Sequence, residues 1–192
     1  MDTKMIKGSA TEQNLMAAFA GESQDFTRYT IYAEAARADG YEQIARAFED
    51  VALQEFAHSR LLLGCLEEGD VRIEATYPAD FSADISENLI RARDNEHSRW
   101  SDVYASYAST ALDEGFKEIA LLFKNISKSE INHEELFSEL IGRLECHDGT
   151  APKKAVAWLC PVCGYSEHGK TAPAKCPLCG ADRHGFAIKP LL

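Results

Sequence analysis

The chain has 192 residues, 45% hydrophobic and 27% charged, which is enough apolar material for a buried core and too little bias for a disordered or fibrous chain. Its net charge of −11 is uneven, because residues 1–148 carry 14 Lys+Arg against 29 Asp+Glu while residues 149–192 carry 6 against 2. This excludes nucleic acid as a partner of the acidic part; the first residues, MDTKMIKGSATEQN, do not read as a secretory signal, and no run of about 18 apolar residues offers a membrane span, so a cytoplasmic protein without membrane partners is expected.

In chain order, Ser9-x-x-Glu12 reads as a capping box before a periodic run that ends at Asp39-Gly40, predicting a first helix over about 11–39. A second helix is predicted from Tyr41 or Glu42 to Glu67-Glu68-Gly69. A longer connection containing Pro78 then leads to Ser82 or Asp84 as the next N-cap. The third helix is predicted to end at Gly115, and the fourth to run from Phe116 to about Cys146. Residues 149–155, GTAPKKA, have linker composition, and Cys160-Pro-Val-Cys163 and Cys176-Pro-Leu-Cys179 follow. The expected organisation is an all-α four-helix bundle over 1–148, a linker over 149–155, and a small metal ribbon over 156–192.

The two helix pairs repeat each other. Asp39-Gly40-Tyr41-Glu42-Gln43-Ile44-Ala45-Arg46-Ala47-Phe48 recurs 75 residues later as Glu114-Gly115-Phe116-Lys117-Glu118-Ile119-Ala120-Leu121-Leu122-Phe123. At that offset Glu55-x-x-His58 lands on Glu130-x-x-His133, whereas Glu22 lands on Glu96 at an offset of 74, a slippage of one residue. The inward stripes predicted from helical periodicity are Leu15, Phe19, Glu22, Phe26, Tyr29 and Ala33 on the first helix, and Phe48, Val51, Glu55, His58 and Leu62 on the second. The third gives Ile85, Leu89, Ala92, Glu96, Trp100, Val103 and Tyr107; the fourth gives Phe116, Ile119, Phe123, Ile126, Glu130, His133, Phe137, Leu140 and Leu144.

Each stripe therefore turns a carboxylate inward, and four such charges in one apolar interior need compensation of several kcal/mol each. A pair of metal ions supplies it. Glu-x-x-His sets a carboxylate and an imidazole side by side on one face, so two such helices and two single glutamates provide the ligand set of ferritin-like di-iron or di-manganese bundles. In the tail, two Cys-x-x-Cys pairs with twelve residues between them fit a tetrahedral tetrathiolate of iron or zinc. Trp158 and Tyr165 are placed to pack around it. Cys65 and Cys146 read as isolated thiols, and His97, His147, His168 and His184 as surface residues.

Taken together, Phe19-Ala20-Gly21-Glu22-Ser23-Gln24, Gln54-Glu55-x-x-His58, Asn95-Glu96-His97 and Glu130-x-x-His133, followed by CPVCGY and CPLCG, resemble the rubrerythrin family across almost the whole chain. The resemblance implies a ferritin-like di-iron bundle with a rubredoxin-like Fe(Cys)4 domain, and a non-haem peroxidase that reduces hydrogen peroxide to water in oxidative-stress defence. It implies a homodimer with electron transfer between subunits, supplied by an external reductant such as rubredoxin or an NAD(P)H-dependent reductase. It further implies that Glu55 and Glu130 bridge the metals, that Glu22 and Glu96 are terminal ligands, and that His58 and His133 give one nitrogen each. Tyr29 and Tyr104 fall at family positions close to the site, as hydrogen-bond donors or as core aromatics. One departure stands out: the family has a further Glu three residues after the ligand of the third helix, and here that position is Arg99, while Asp25 stands three residues after Glu22. Arg99 facing solvent, Arg99 paired with Asp25 above the site, and Asp25 replacing the missing carboxylate are all open. The alternatives to a peroxidase are a ferroxidase or oxygen-reducing iron-handling bundle, and a non-catalytic electron carrier or zinc-stabilised scaffold.

Overall fold

The structure is a computed structural model that describes residues 5–79, 82, 84–147, 156–160, 162–183 and 186–188. The expected linker at 149–155 and His184 lie outside the described residues, as do the side chains of Cys146 and His147.

Four helical stretches form the larger part. α1 (Ala10–Ala38) opens on Ser9, whose side chain accepts from the Glu12 amide, while Glu12 reaches back to accept from the Gly8 amide at 2.7 Å. The capping box is thus shifted outward by one residue. Glu114, from far along the chain, accepts from the amides of Ala10 and Thr11 at 3.1 and 2.8 Å, placing a carboxylate at the positive end of the helix. α2 (Glu42–Leu63) stops at Gly64, short of the predicted Glu67-Glu68-Gly69, because the chain turns through Leu66 before those acidic residues. α3 (Ile85–Ser98) is capped by Asp84, accepting from Glu87. It runs into a π-helical segment over Arg99–Val103 and on into α4 (Tyr104–Asp113). α5 spans Lys117–His147.

The internal repeat reaches the backbone. α1 and α4 end alike: Gly40 and Gly115 take φ of 84° and 83°, and Tyr41 and Phe116 donate to the carbonyls of Ala36 and Ala111. A side chain in that left-handed conformation would cost roughly 1–2 kcal/mol, so glycine is needed at both turns. The π segment accounts for the slippage between the halves. Glu22 maps on Glu96 at 74 residues but Tyr29 maps on Tyr104 at 75, so one extra residue entered between Glu96 and Tyr104. A π-bulge is how a helix absorbs a single extra residue.

The insertion also corrects the predicted third stripe. Ile85, Leu89, Ala92 and Glu96 are buried as expected, but beyond them Trp100, Val103 and Tyr107 are only partly buried while Arg99, Tyr104, Ala108 and Ala111 take the interior. A fixed helical period cannot follow a helix that changes its period. In α1, Phe19 and Phe26 are likewise only partly buried, and Ala18, Asp25, Tyr32 and Ala36 join the core.

α1 packs along α2 and α3–α4 pack along α5, and the core falls into two clusters. One is built on Tyr29, Tyr32, Phe48 and Phe137, the other on Leu15, Leu62, Tyr104 and Phe123. Each fully buried aromatic or leucine contributes about 1.5–3 kcal/mol, so the two clusters carry the fold and leave the level between them for polar residues. Among the described residues, no helix is long and apolar enough to cross a membrane.

The C-terminal part is a three-stranded antiparallel sheet, ordered β2 (Ser166–Gly169), β1 (Val156–Leu159), β3 (Ala187–Ile188), with Trp158 opposite Glu167 and Ile188. Its small core is Trp158, Cys160, Ala172, Cys176 and Phe186.

Candidate metal centres

The polar level of the bundle holds Glu22 from α1, Glu55 and His58 from α2, Glu96 from α3, and Glu130 and His133 from α5, with no glutamate more than 1% exposed. His58 Nδ1 lies 3.0 Å from Glu55, 3.2 Å from Glu130 and 3.3 Å from Glu22. His133 Nδ1 lies 2.8 Å from Glu130, 2.9 Å from Glu55 and 3.7 Å from Glu96. Glu55 and Glu130 therefore face both imidazoles, whereas Glu22 and Glu96 each face one. The atoms group into two overlapping sets, Glu22, Glu55, His58, Glu130 and Glu55, Glu96, Glu130, His133, that share the central pair.

The electrostatics of the cluster are those of a cation site. Burial and then the neighbouring carboxylates push Glu22 and Glu96 well above the usual carboxylate range. Burial acts the same way on Glu55, but hydrogen bonds from His133 and His58 outweigh it and hold it low. Burial opposes charge on His58 and His133, yet the surrounding carboxylates push both up to about 12. Even so, Glu22 Oε2, Glu55 Oε1 and Glu130 Oε1 are buried with only an imidazole Nδ1 near them, at 3.3, 2.9 and 3.2 Å, and no well-directed hydrogen bond. Six buried ligand groups with only two nitrogens to share among four carboxylates fit two divalent cations, which supply positive charge to every oxygen at once.

Around the cluster the two halves serve each other. Tyr29 of the first half donates to Glu96, and Tyr104 of the second donates to Glu22. Burial and Glu96 push the Tyr29 phenol well up, so its proton stays on oxygen. His133 Nε2 lies 2.9 Å from Gln54 Oε1; an amide oxygen only accepts, so this contact puts the proton on Nε2 and leaves Nδ1 facing the cluster. Asn95 donates to the Tyr29 hydroxyl at 3.1 Å. Gln54 and Asn95 stand inside motifs the sequence singled out, but only as neighbours of ligands; their supporting contacts carry no periodic signal.

Of the three arrangements open for Arg99, the structure adopts the pair with Asp25. Nη2 and Nε donate to Asp25 Oδ2 at 2.6 and 3.2 Å, and both side chains are at least 90% buried. Burial opposes charge on Arg99, but Asp25 and Glu22 outweigh it and raise its pKa. Burial raises Asp25 in spite of Arg99. At the repeat offset of 74, Asp25 and Arg99 are equivalent positions, so a pseudo-twofold pair joins the halves. Gly21 makes the space, since a Cβ there would lie 2.5 Å from the guanidinium nitrogens.

The four-cysteine site repeats too. Gly164 and Gly180, with φ of 76° and 79°, donate to the carbonyls of Cys160 and Cys176, and the Cys160 and Cys176 amides donate to Tyr165 and Ala181. The two knuckles bring Cys160 Sγ within 3.7 Å of Cys179 Sγ and Cys163 Sγ within 3.5 Å of Cys176 Sγ, close enough for all four to share one ion. Burial would raise the Cys176 thiol, but the amides of Cys179 and Leu178 hold it down at about 7, whereas at Cys163 the Tyr165 amide is outweighed by burial and the neighbouring sulfurs, which push that thiol up to about 12, so without a cation the cluster favours a single thiolate. Trp158 packs on Cys160 and donates to the Gly169 carbonyl at 3.1 Å, with Tyr165 partly buried beside them. Of the residues expected at the surface, His97 is exposed, within 3.1 Å of Glu134, and His168 is exposed; Cys65 is a partly buried free thiol.

Known proteins match this arrangement in both parts. The family model described as Rubrerythrin matches residues 13–141, and that described as Rubrerythrin, rubredoxin-like domain matches residues 158–187. Rubrerythrin of Porphyromonas gingivalis is 44% identical over 172 residues, covering 88% of this chain and 85% of its own. A nigerythrin structure in a mixed-valence state superposes with a TM-score of 0.63 at 31% identity, over 98% of this chain and 94% of its own. Bacterioferritin of Rhodobacter capsulatus, at 18% identity and a TM-score of 0.65 over 72% of this chain and 88% of its own, shares the ferritin-like fold of the bundle. With both family models in the same order along one chain, and relatives matching over most of its length, the protein belongs to the rubrerythrin family.

Proposed function

We propose that this iron oxidoreductase is a peroxidase that reduces hydrogen peroxide to water at a di-iron centre held by Glu22, Glu55, His58, Glu96, Glu130 and His133, with electrons relayed through iron bound by Cys160, Cys163, Cys176 and Cys179. The observation that carries the reading is the sharing of Glu55 and Glu130 between both imidazoles, because the two carboxylates would hold two metals side by side in one site, and a metal pair would supply redox and template chemistry for a two-oxygen substrate. When bound, the two ferrous ions supply the two electrons that O–O cleavage consumes.

The chain's own residues do the rest. Glu22 and Glu96 would each hold one metal, and Gln54 keeps the His133 ring oriented by accepting from Nε2. Tyr29 and Tyr104 aim their phenol hydroxyls at Glu96 and Glu22, where they steady the terminal carboxylates and stand as the nearest hydroxyl donors to a developing oxyanion. The aromatic clusters on either side exclude bulk water. The buried Arg99–Asp25 pair adds a fixed cation one turn beyond Glu96, where the family has its further carboxylate, so the centre works with four carboxylates and two imidazoles. The expected assembly is a homodimer in which the basic ribbon of one subunit meets the acidic bundle of the other, fed by an external reductant such as rubredoxin or an NAD(P)H-dependent reductase.

The test is steady-state turnover of the iron-loaded protein with a reduced rubredoxin-type donor, hydrogen peroxide and oxygen being supplied in separate runs. Faster donor oxidation with peroxide is expected. Equal or faster turnover with oxygen refutes the peroxidase and favours an oxygen-reducing iron-handling bundle.

A further inference from the structure

Building on the peroxide-reducing reading above, we propose that two pairs of tyrosines, Tyr29 with Tyr32 and Tyr104 with Tyr107, form one-electron relays that carry oxidising equivalents from the centre to cavities under the crossover segment when external reductant runs out.

The internal repeat duplicates not one tyrosine per half but two. Tyr29-x-x-Tyr32 recurs 75 residues later as Tyr104-x-x-Tyr107. In each pair the inner phenol donates to a carboxylate of the cluster, Tyr29 to Glu96 and Tyr104 to Glu22. The outer ring touches the inner one, with centroids 6.2 Å apart in the first pair and 6.3 Å in the second, within the contact range of aromatic pairs. Each outer ring then lines a cavity. Tyr107 faces one of about 680 Å³ and Tyr32 one of about 350 Å³, and Pro78 of the crossover segment lines both. Tyr77, also on that segment, shares the larger cavity.

Packing alone does not call for the Tyr32 hydroxyl. The Tyr32 hydroxyl is buried with no hydrogen-bond partner among the described residues, a site where phenylalanine would pack at less cost in desolvation. An oxidisable phenol retained at equivalent places in both halves, in contact with a second phenol that touches the centre, points instead to electron transfer.

An inner tyrosine gives an electron to hydrogen peroxide held at the centre once the ferrous ions are spent, and its proton to the carboxylate it already donates to. The outer tyrosine returns an electron to the inner phenoxyl, which recovers the proton from that carboxylate, and the outer phenol releases its own proton toward the cavity. With both relays used, two outer tyrosines lose one electron and one proton each, the O–O bond of one hydrogen peroxide breaks, and two water molecules form. Oxidation thus ends at replaceable outer phenols, and the ligands are spared.

The experiment uses the full-length iron-loaded protein, reduced, then mixed with a small excess of hydrogen peroxide without external donor and freeze-quenched. Tyrosyl radical is read by electron paramagnetic resonance, and oxidised tyrosines are mapped by peptide mass spectrometry. A tyrosyl signal with modification at Tyr32 and Tyr107 is expected. In Tyr32→Phe and Tyr107→Phe the outer modification should fall by about half each, with that of the altered arm moving inward to Tyr29 or Tyr104; the double variant should show modification at the inner pair alone. A parallel sample with reduced rubredoxin-type donor separates the two readings. If it consumes peroxide while the donor-free protein shows no tyrosyl signal, or if the variants give the wild-type signal and map, the relay is overturned and the peroxidase stands. If it consumes none, both readings fall.

Discussion

Replacing Arg99 by Met should destabilise the bundle by about 3–5 kcal/mol, the usual cost of stranding one partner of a buried ion pair. The geometry supports a value in that range: Asp25 Oδ2 accepts twice from Arg99, at 2.6 and 3.2 Å, and the carboxylate is 5% exposed, so water cannot replace the guanidinium. For a chain of this length each kcal/mol moves the midpoint by about 2–4 °C, so thermal melting followed by helical circular dichroism should show a fall of roughly 10 °C. Asp25→Leu with Arg99→Met should recover most of it, because a neutral apolar pair leaves no charge behind. The pH dependence has a definite sign. Without Arg99 the folded pKa of Asp25 rises further above its ordinary 3.8. A raised carboxylate contributes stability that is complete below its unfolded value and is lost as pH rises through the folded one. The defect of the single variant relative to wild type should therefore be smallest near pH 4 and grow toward neutrality. A midpoint within about 2 °C of wild type at pH 7 would refute the pairing as a structural element.

Three further outcomes follow from the same geometry. Gly21→Ala puts a methyl 2.5 Å from the guanidinium, so it should displace Arg99 and destabilise the protein in wild type but add little in the Arg99→Met background, as read by the same melts. Gln54→Leu removes the acceptor for His133 Nε2 and should weaken one metal position by about 10–100-fold, leaving the His58 position near its wild-type affinity in an Fe(II) titration. Because His58 and His133 are pushed up to about 12, both carry protons at pH 7, and Fe(II) uptake by chelator-treated protein should release at least one proton per imidazole. Uptake should also tighten as pH rises above the ordinary histidine range; weakly buffered titration showing no acidification would count against the ligand assignment.

The six bundle residues and four cysteines were legible because each obeys a spacing rule: Glu-x-x-His on a helical face, single glutamates on inward stripes, and paired knuckles twelve residues apart. What was not legible depends on three-dimensional support. Gln54 and Asn95 act through one hydrogen bond each, and nothing in their spacing separates them from surface amides. The composition of Glu67 and Glu68 continues a helical pattern past Gly64, so the sequence predicts a later end for α2 than the structure has. The sequence leaves three arrangements open for Arg99 because a constant helical period does not place it on the inward stripe; the change of offset from 74 to 75 marks where that period changes.

That extra residue has a consequence for how the protein can change. If the halves descend from one ancestral hairpin, the second has gained a codon between its carboxylate and its tyrosine, and the π segment keeps that codon from rotating everything after it by about 100°. The halves are now distinct by length as well as by residue. An exchange of genetic segments that replaced α3–α4 with a copy of α1 would remove the extra residue and the π segment together, restoring an even helix whose tyrosine follows its carboxylate by the same spacing as Tyr29 follows Glu22. A single-residue deletion within 99–103 would be taken up by loss of the π segment, whereas one elsewhere in α3 or α4 would rotate everything after it by about 100°, so this short stretch is where the helix can best change its length.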